Sequence, residues 1–466
     1  MPRIAFALCL VGVSLSSAGP PRLRQGDARP ATVRDPIAGW WRGHAVFRDA
    51  SLELAVHFIQ EDTKLEGTLT SPDMMLLEEP LDGVQRQGRN LHFATRDERP
   101  LRFDGALDGD SIRGSALVPA VPGVVRPDPA ASPTLRFALS RAAPPGAPPY
   151  STRDVSFPSG HARLVGTLYL PVPVSGPRAG IVLLQGSSSN LRHEYRFFAD
   201  LFARAGLAVL AFDKRGKGES SGDYGAATYD DLARDAAAAV ECLRSQREVD
   251  SLRVGVWGLS QGAFIAPLVA ARVPSLRFIV AVSAPGMPVG ECAAFQDSVR
   301  LTSAGFDVAD VLRAVSLDRR MLEWLRAKGD ERELGALLAE ADGTPWQRAS
   351  SLPARLPSGP VLEGWYWRGR TLDPAPWWRA VRVPVLAIYG AADELVPANV
   401  SSKRVGRALR KSGVRDVTVR VFPAANHMLR TLPLVAGGKW DWPRAAPGYL
   451  ELLTEWVLEH SQATTR

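Results

Sequence analysis

The sequence predicts an α/β domain with a largely parallel sheet, preceded by a small antiparallel all-β domain. Before residue 140, apolar and polar residues alternate along short segments, which is typical of half-buried strands. Beyond residue 150, near-continuous runs of Val, Leu and Ile alternate with helical patterns, as in a sheet covered on both faces. The chain has 466 residues, 45% hydrophobic and 23% charged, and this composition excludes disordered and fibrous proteins.

Residues 1–19 have the pattern of a secretory signal peptide, and residues 20–36 form a Pro- and Arg-rich leader. Arg3 precedes an apolar run over residues 4–15, which is shorter than the roughly 20 residues that a membrane-spanning helix needs. We therefore expect an exported protein, periplasmic or secreted, without an integral membrane segment. The formal net charge of +7 comes from scattered residues rather than from a block of like charges, which argues against nucleic acid as a partner.

The predicted β domain covers residues 37–140. Its segments LEGTLT, FDGALD and IRGSAL are similar to one another, as the strands of a meander often are. The spacing of the strands fits either a lipocalin-like barrel or a sandwich, and the sequence of this domain shows no catalytic constellation. A Pro-rich linker is predicted at residues 141–150.

The α/β domain is predicted over residues 151–466. Thr228 and Asp231 form a capping-box pattern at the start of its clearest helix. Residues 287–379 interrupt the alternation with helical periodicity, which predicts a cap inserted between two strands. The buried strands are predicted at residues 180–185, 207–213, 252–257, 278–283, 384–390 and 417–422. Six tryptophans of the cap could either line an apolar pocket or pack the cap on the sheet: Trp324, Trp346, Trp365, Trp367, Trp377 and Trp378.

A GxSxG motif predicts the nucleophile of a hydrolytic enzyme. It places Ser260 directly after a predicted strand and before a helical run over residues 261–272. A serine on so tight a strand-to-helix turn is held exposed, and Gly258 and Gly262 let the helix pass close to the strand. The chemistry of a serine nucleophile then requires a base.

His427 is the histidine predicted to act as that base. It follows the last strand of the sheet, at the edge where the serine turn also emerges. Asp393, which follows the strand at residues 384–390, is the carboxylate predicted to orient His427, and its neighbour Glu394 is the competitor. The order serine, acid, histidine along the chain is that of α/β-hydrolases.

Negative charge that develops on a substrate oxygen needs donors already in place. The backbone N–H of Gln261, at the start of its helix, is one predicted donor. The second is predicted in the loop LLQGSSSN, as the N–H of Ser187, with Gly186 allowing a close approach. Together these N–H groups would form an oxyanion hole.

Five segments together resemble the bacterial α/β-hydrolase family that includes serine-aminopeptidase-like and dienelactone-hydrolase-like esterases. They are FDKRGKGESSGD, DLARDAAAAVECLRSQREVD, RVGVWGLSQGAFIAPLVAA, GAADELVP and ANH, and the resemblance covers about residues 150–462. It implies an α/β-hydrolase fold and hydrolysis of carboxylic esters or related acyl compounds by Ser260, Asp393 and His427. The sequence departs from the family pattern at Gln185, where a histidine is usual, and at Ala263, where a second glycine is common.

The leading hypothesis is an exported serine hydrolase that cleaves carboxylic esters through an acyl-enzyme. The alternatives are a serine peptidase or aminoacyl hydrolase on the same triad, and a non-catalytic binding protein on a hydrolase scaffold. A carboxylate in the cap that binds a substrate amine would favour the peptidase, and Glu291, Glu323 and Glu363 are available. We expect a small acyl ester or peptide-like substrate and no metal or organic cofactor. The sequence leaves open the oligomeric state and whether Cys242 and Cys292 pair.

Overall fold

The structure is a computed structural model that describes residues 34–47, 50–96, 100–117, 134–173, 176–188, 191–353, 355, 359–431 and 444–462. The predicted signal peptide at residues 1–19 and all but the end of the leader lie outside these residues. No helix in the part of the chain that the structure describes is both long and apolar enough to cross a membrane.

The N-terminal domain is a closed barrel of eight strands, so the barrel rather than the sandwich is the correct alternative. Each strand pairs antiparallel with the next, and the first closes on the last, with Trp40 opposite Ala142 and Val46 opposite Arg136. The strands are β1 (Gly39–Phe47), β2 (Ala50–Glu61), β3 (Lys64–Ser71), β4 (Leu76–Gln87), β5 (Asn90–Thr95), β6 (Arg102–Asp108), β7 (Ser111–Leu117) and β8 (Thr134–Ala142).

Aromatic side chains fill the inside of the barrel. The Phe93 ring stacks on Phe103 with centroids 4.7 Å apart and meets the edges of Phe58 and Phe137 at 5.4 and 6.2 Å. These four rings are buried, and they point inward because alternate residues of a strand face the same side. The inside of the barrel is thus a packed core.

The second domain contains an eight-stranded sheet in the order β16-β15-β14-β13-β11-β12-β10-β9. Strand β10 runs antiparallel to β9 and β12, and the other pairs are parallel. The strands are β9 (Tyr150–Ser159), β10 (Ala162–Pro171), β11 (Arg178–Leu184), β12 (Ala208–Phe212), β13 (Val249–Leu259), β14 (Ile279–Val282), β15 (Val385–Gly390) and β16 (Val417–Phe422).

Helices cover both faces of this sheet, which confirms the predicted α/β class and explains the near-continuous apolar strands. The helices α1 (Arg196–Arg204) and α11 (Tyr449–His460) pack on one face. On the other face lie α2 (Tyr229–Arg244), α3 (Gln261–Arg272), α9 (Ala375–Ala380) and α10 (Ala398–Ser412). Helix α2 begins with the predicted capping box, in which the Thr228 hydroxyl accepts a hydrogen bond from the Asp231 N–H at 3.1 Å.

The predicted cap lies between β14 and β15. It contains the helices α4 (Val289–Ser303), α5 (Val308–Ala327), α6 (Glu331–Ala339), α7 (Pro345–Ala349) and α8 (Pro360–Glu363). Trp324, Trp346 and Trp367 belong to a hydrophobic core of the cap itself. Trp365 and Trp378 belong to the core under the sheet, and Trp377 meets the edge of Phe264 at 5.1 Å. All six tryptophans therefore take part in packing, and the indole N–H groups of Trp324 and Trp365 also donate to backbone carbonyls.

Cys242 and Cys292 do not pair with each other. Cys242 lies partly exposed on α2, Cys292 lies buried on α4, and both are free thiols. Burial raises the pKa of the Cys292 thiol to about 12, so this thiol stays protonated at neutral pH.

Two adjacent methionines join the barrel to the α/β domain at a turn between β3 and β4. Met74 belongs to the core of the barrel, whereas Met75 belongs to a core cluster of the α/β domain that also contains Leu429. Met75 has a left-handed backbone with a φ of 55°, which turns successive side chains toward different cores. Next to them, the carbonyl of Asp73 accepts a hydrogen bond from the N–H of Ala445 at 2.7 Å.

Candidate active site

Ser260 lies on a strained turn between β13 and α3. Its φ of 53° and ψ of −109° are unfavourable for a residue with a Cβ and cost on the order of 1–3 kcal/mol. Two backbone hydrogen bonds hold the turn in place. The Ser260 N–H donates to the carbonyl of Val282 in β14 at 2.8 Å, and the Ser260 carbonyl accepts the first helical hydrogen bond from Phe264 at 2.8 Å.

Both glycines of the GxSxG motif are required because a side chain at either position would clash with the backbone. A Cβ on Gly258 would lie 2.5 Å from the carbonyl carbon of Gly262. A Cβ on Gly262 would lie 2.0 Å from the carbonyl oxygen of Leu184, at the end of the neighbouring strand. Both distances are far inside van der Waals contact, so α3 can start here only with glycine at both positions. Ala263, which departs from the family pattern, is fully buried in this packing.

His427 and Asp393 form a buried pair. The Nδ1–H of His427 donates to the Asp393 carboxylate, with distances of 2.8 and 3.0 Å to its two oxygens. The same carboxylate accepts hydrogen bonds of 2.8 Å from the N–H groups of Leu395 and Val396. Asp393, rather than its neighbour Glu394, is thus the partner of His427. With Nδ1 engaged, Nε2 is the ring nitrogen left to exchange a proton with a nucleophile.

The parallel strands bring these residues to one edge of the sheet. Ser260 follows β13, Asp393 follows β15 and His427 follows β16, and the carboxyl ends of parallel strands face the same side. Ser283, which was not predicted from the sequence, follows β14, the strand that lies between β13 and β15. Its buried hydroxyl donates to the backbone carbonyl of His427 at 2.8 Å and so helps to fix the histidine. Its position directly after β14 was the available signal.

The loop after β11 lies beside Ser260. A Cβ on Gly186 would lie 3.7 Å from the Cβ of Ser260. The N–H of Gly186 is already used, since it donates to the hydroxyl of Tyr195 at 2.8 Å. The next N–H along this loop is that of Ser187, the predicted second donor. The N–H of Gln261 belongs to the first residue of α3, where a helix offers no internal acceptor.

The turn after β12 matches the family's D-x-R-G pattern, and its acidic and arginine members have structural partners. The side chain of Asp213 forms an ion pair with Arg192, and Arg215 forms one with Asp235 at 2.7 Å. Gln185 also has a structural contact, because its amide donates to the backbone carbonyl of Phe212 in β12. Ion pairs and a main-chain contact of this kind anchor the turn to the sheet edge.

A buried lysine in this turn was missed by the sequence reading. Lys214 is only 6% exposed, and burial lowers the pKa of its amine well below the usual range. Its Nζ donates to the carbonyl of Gly186 and, at 2.7 Å, to the side-chain oxygen of Gln261. The hydroxyl of Tyr224 lies 3.2 Å from the same Nζ. The available signal was its position two residues after the buried strand β12.

The three carboxylates proposed to bind a substrate amine are not equally available. Glu291 lies 3.5 Å from Arg319, and the carboxylate of Glu363 bonds the guanidinium of Arg368. Glu323 is exposed on α5. Two of the three are thus already paired with an arginine.

Comparison with known proteins places the chain in a family. A family model described as X-Pro dipeptidyl-peptidase (S15 family) matches residues 108–415, a range that contains Ser260 and Asp393 and ends before His427. An uncharacterized 31.7 kDa protein of Escherichia coli, encoded in the traX-finO intergenic region, is 25% identical over 202 residues, which are 43% of this chain and 67% of that protein.

Two further proteins are similar over part of the chain. Mouse acyl-coenzyme A thioesterase 1 is 28% identical over 183 residues, covering 35% of this chain and 40% of the thioesterase. The chain thus spans less than half the length of that relative. The solved structure of a Pyrococcus furiosus esterase is 19% identical with a TM-score of 0.42, and the alignment covers 69% of this chain and 95% of the esterase.

Proposed function

We propose that the chain, which belongs to the X-Pro dipeptidyl-peptidase (S15) family and is a serine hydrolase of the ester or peptide type, cleaves carboxylic esters through Ser260, His427 and Asp393. The observation that carries the proposal is the strained turn of Ser260 at the sheet edge where His427 and Asp393 are paired. Such strain persists only where the surrounding structure imposes it, and it is common at nucleophiles.

The proposed reaction uses groups whose positions are described above. The Oγ of Ser260 attacks the acyl carbonyl carbon while Nε2 of His427 takes the hydroxyl proton. The N–H groups of Gln261 and Ser187 stabilise the negative oxygen of the tetrahedral intermediate. This intermediate collapses to an acyl-enzyme, and His427 gives its proton to the departing alcohol. Water then attacks the acyl-enzyme by the same steps and releases the acid.

Peptide or aminoacyl hydrolysis is the second candidate, and the description of the matched family favours it. The same triad would act, and the difference would lie in how the substrate is bound. An enzyme that removes residues from an amino terminus needs a free carboxylate for the substrate ammonium. The pairing of Glu291 with Arg319 and of Glu363 with Arg368 argues against these two carboxylates in that role and leaves Glu323 as the candidate.

The two candidates are separated by activity on matched substrates. We expect the full chain to hydrolyse p-nitrophenyl acetate and butyrate, and Ser260→Ala to lower kcat/KM on both by about a thousandfold or more, because the nucleophile is removed. Aminoacyl p-nitroanilides assayed beside the esters measure the competing activity. Anilide turnover without ester turnover would replace the proposed function with the peptidase, and ester turnover that persists in Ser260→Ala would contradict it.

We also propose that the protein is exported. The support is the sequence of residues 1–19 alone, with its basic start, apolar run and small residues. The mass of the protein recovered from the periplasm or medium tests this proposal. A chain that begins near residue 20 supports export, and an unprocessed chain confined to the cytoplasm contradicts it.

A further inference from the structure

We infer that Lys214 is a positioning residue of the oxyanion hole, because it ties together the two segments that carry the donor N–H groups. The inference rests on the proposed function, in which Gln261 and Ser187 hold the substrate oxygen. Its basis is a set of hydrogen bonds between buried groups of the turn after β12, the loop after β11 and the start of α3.

The contact with Gly186 determines how the Ser187 N–H is oriented. The carbonyl of Gly186 and the N–H of Ser187 belong to one planar peptide group, in which C=O and N–H point in opposite directions. Because Nζ of Lys214 holds the carbonyl oxygen, the N–H must point away from the lysine. Rotation of this peptide would break the hydrogen bond inside a buried site. A donor bound to the carbonyl also polarises the peptide and strengthens its N–H as a donor.

The contact with Gln261 acts on the other half of the hole. The side-chain oxygen of Gln261 accepts from Lys214 at 2.7 Å, and the Tyr224 hydroxyl lies 2.9 Å from the same oxygen. Gln261 is buried and is the first residue of α3, so fixing its side chain fixes the start of the helix. Tyr224 reinforces the link, since its hydroxyl also lies 3.1 Å from the carbonyl of Ser187.

Lys214 can form these hydrogen bonds in either protonation state. An ammonium has three N–H groups and a neutral amine has two, so either form can donate to Gly186 and Gln261 together. A buried lysine is costly unless its donors are satisfied. The acceptors here come from the two segments that flank Ser260, and this arrangement distinguishes Lys214 from a lysine that packs elsewhere in the core.

The test compares two lysines of the same turn. Lys214→Met keeps a long side chain and removes the donor, and we expect it to lower kcat on p-nitrophenyl acetate by about tenfold to a hundredfold with KM changed less than about twofold. Phenylboronic acid, which forms a tetrahedral adduct with a reactive serine, should bind more weakly by a similar factor. The control is Lys217→Met, which makes the same substitution at an exposed lysine of that turn and should leave both values unchanged.

Four outcomes decide the inference. A loss of kcat matched by weaker boronic acid binding supports it. An unchanged kcat in Lys214→Met, with a lower melting temperature alone, shows a structural lysine and overturns it while the proposed function stands. If Lys214→Met does not fold, Gln261→Met replaces it, because it removes the side-chain acceptor of Lys214 and keeps the backbone N–H of residue 261, and an unchanged kcat there overturns the inference. Ester turnover that persists in Ser260→Ala, assayed in parallel, would overturn the proposed function itself.

Discussion

Asp393 accepts hydrogen bonds from two sources at once. Its carboxylate bonds the Nδ1–H of His427, and the N–H groups of Leu395 and Val396 hold the same carboxylate in its own loop. The backbone contacts orient the acid before it orients the base. A carboxylate in this arrangement selects the tautomer of His427 that leaves Nε2 free to accept a proton, and it stabilises the imidazolium that forms.

This arrangement predicts a large difference between two neighbouring acids. Asp393→Asn preserves the shape of the side chain and favours the wrong tautomer of His427, so kcat on p-nitrophenyl acetate should fall by about a thousandfold to ten-thousandfold. Glu394→Gln is the matched control and should stay within about twofold of the unmodified protein, as is usual for a residue outside the reaction. Steady-state kinetics measures both. The assignment would be wrong if Glu394→Gln showed the larger loss.

Some residues of the candidate site were predictable because short sequence patterns around them identify them. Ser260 lies in a motif whose glycines have a spatial requirement, and Asp393 and His427 follow strands that the apolar pattern reveals. Lys214 and Ser283 were missed because their roles depend on contacts with segments distant in the sequence. The spacing of residues in the sequence does not predict a hydrogen bond between residues 214 and 261.

At the scale of elements, the α/β domain was the more predictable of the two. Its strands are buried on both faces, so each is an apolar run that can be found without knowing its neighbours. The predicted strand at residues 417–422 and the predicted helix at residues 261–272 coincide with β16 and α3. Barrel and sandwich could not be distinguished, since both use the same local alternation. The choice depends on the pairing of β1 with β8, which lie about 100 residues apart in the chain.

The cap shows a similar limit of local patterns. Its helices were visible in the sequence, whereas the partners of its tryptophans were not. Trp365 illustrates why, because its indole N–H donates to the backbone carbonyl of Tyr224 at 3.1 Å and the two rings lie 5.1 Å apart. This contact joins Trp365 of the cap to a residue 141 positions earlier in the chain. It also places the cap against the tyrosine whose hydroxyl lies beside the carbonyl of Ser187.

At the scale of the whole molecule, the barrel contacts the part of the chain that follows His427. The carbonyl of Asp73 accepts a hydrogen bond from the N–H of Ala445, and the N–H of Ala446 donates to the carbonyl of Leu429, two residues beyond His427. Met75 lies in the same buried cluster as Leu429 and Ala446. A continuous set of contacts therefore runs from the barrel to the loop that carries His427, the proposed base.

Substitutions of two adjacent methionines test the importance of the contact between the barrel and the α/β domain. Met75→Ala removes barrel side-chain volume from the core of the α/β domain, at a cost of roughly 2 kcal/mol or more, and we expect kcat to fall as His427 loses support. Met74→Ala is the matched control, because it leaves a cavity of the same kind inside the barrel. Thermal unfolding and ester kinetics measure the two effects. A loss of kcat in Met74→Ala equal to that in Met75→Ala would contradict a specific role for the docking contact.

The proposed function requires that Ser260 becomes acylated during turnover, and covalent labelling detects a reactive serine without a substrate. The full chain is treated with a fluorophosphonate, which reacts with activated serines, and the modified peptide is identified by mass spectrometry. We expect one adduct, on the peptide that contains Ser260, and no adduct in Ser260→Ala. An adduct on another serine, or labelling that is unchanged in Ser260→Ala, would contradict it.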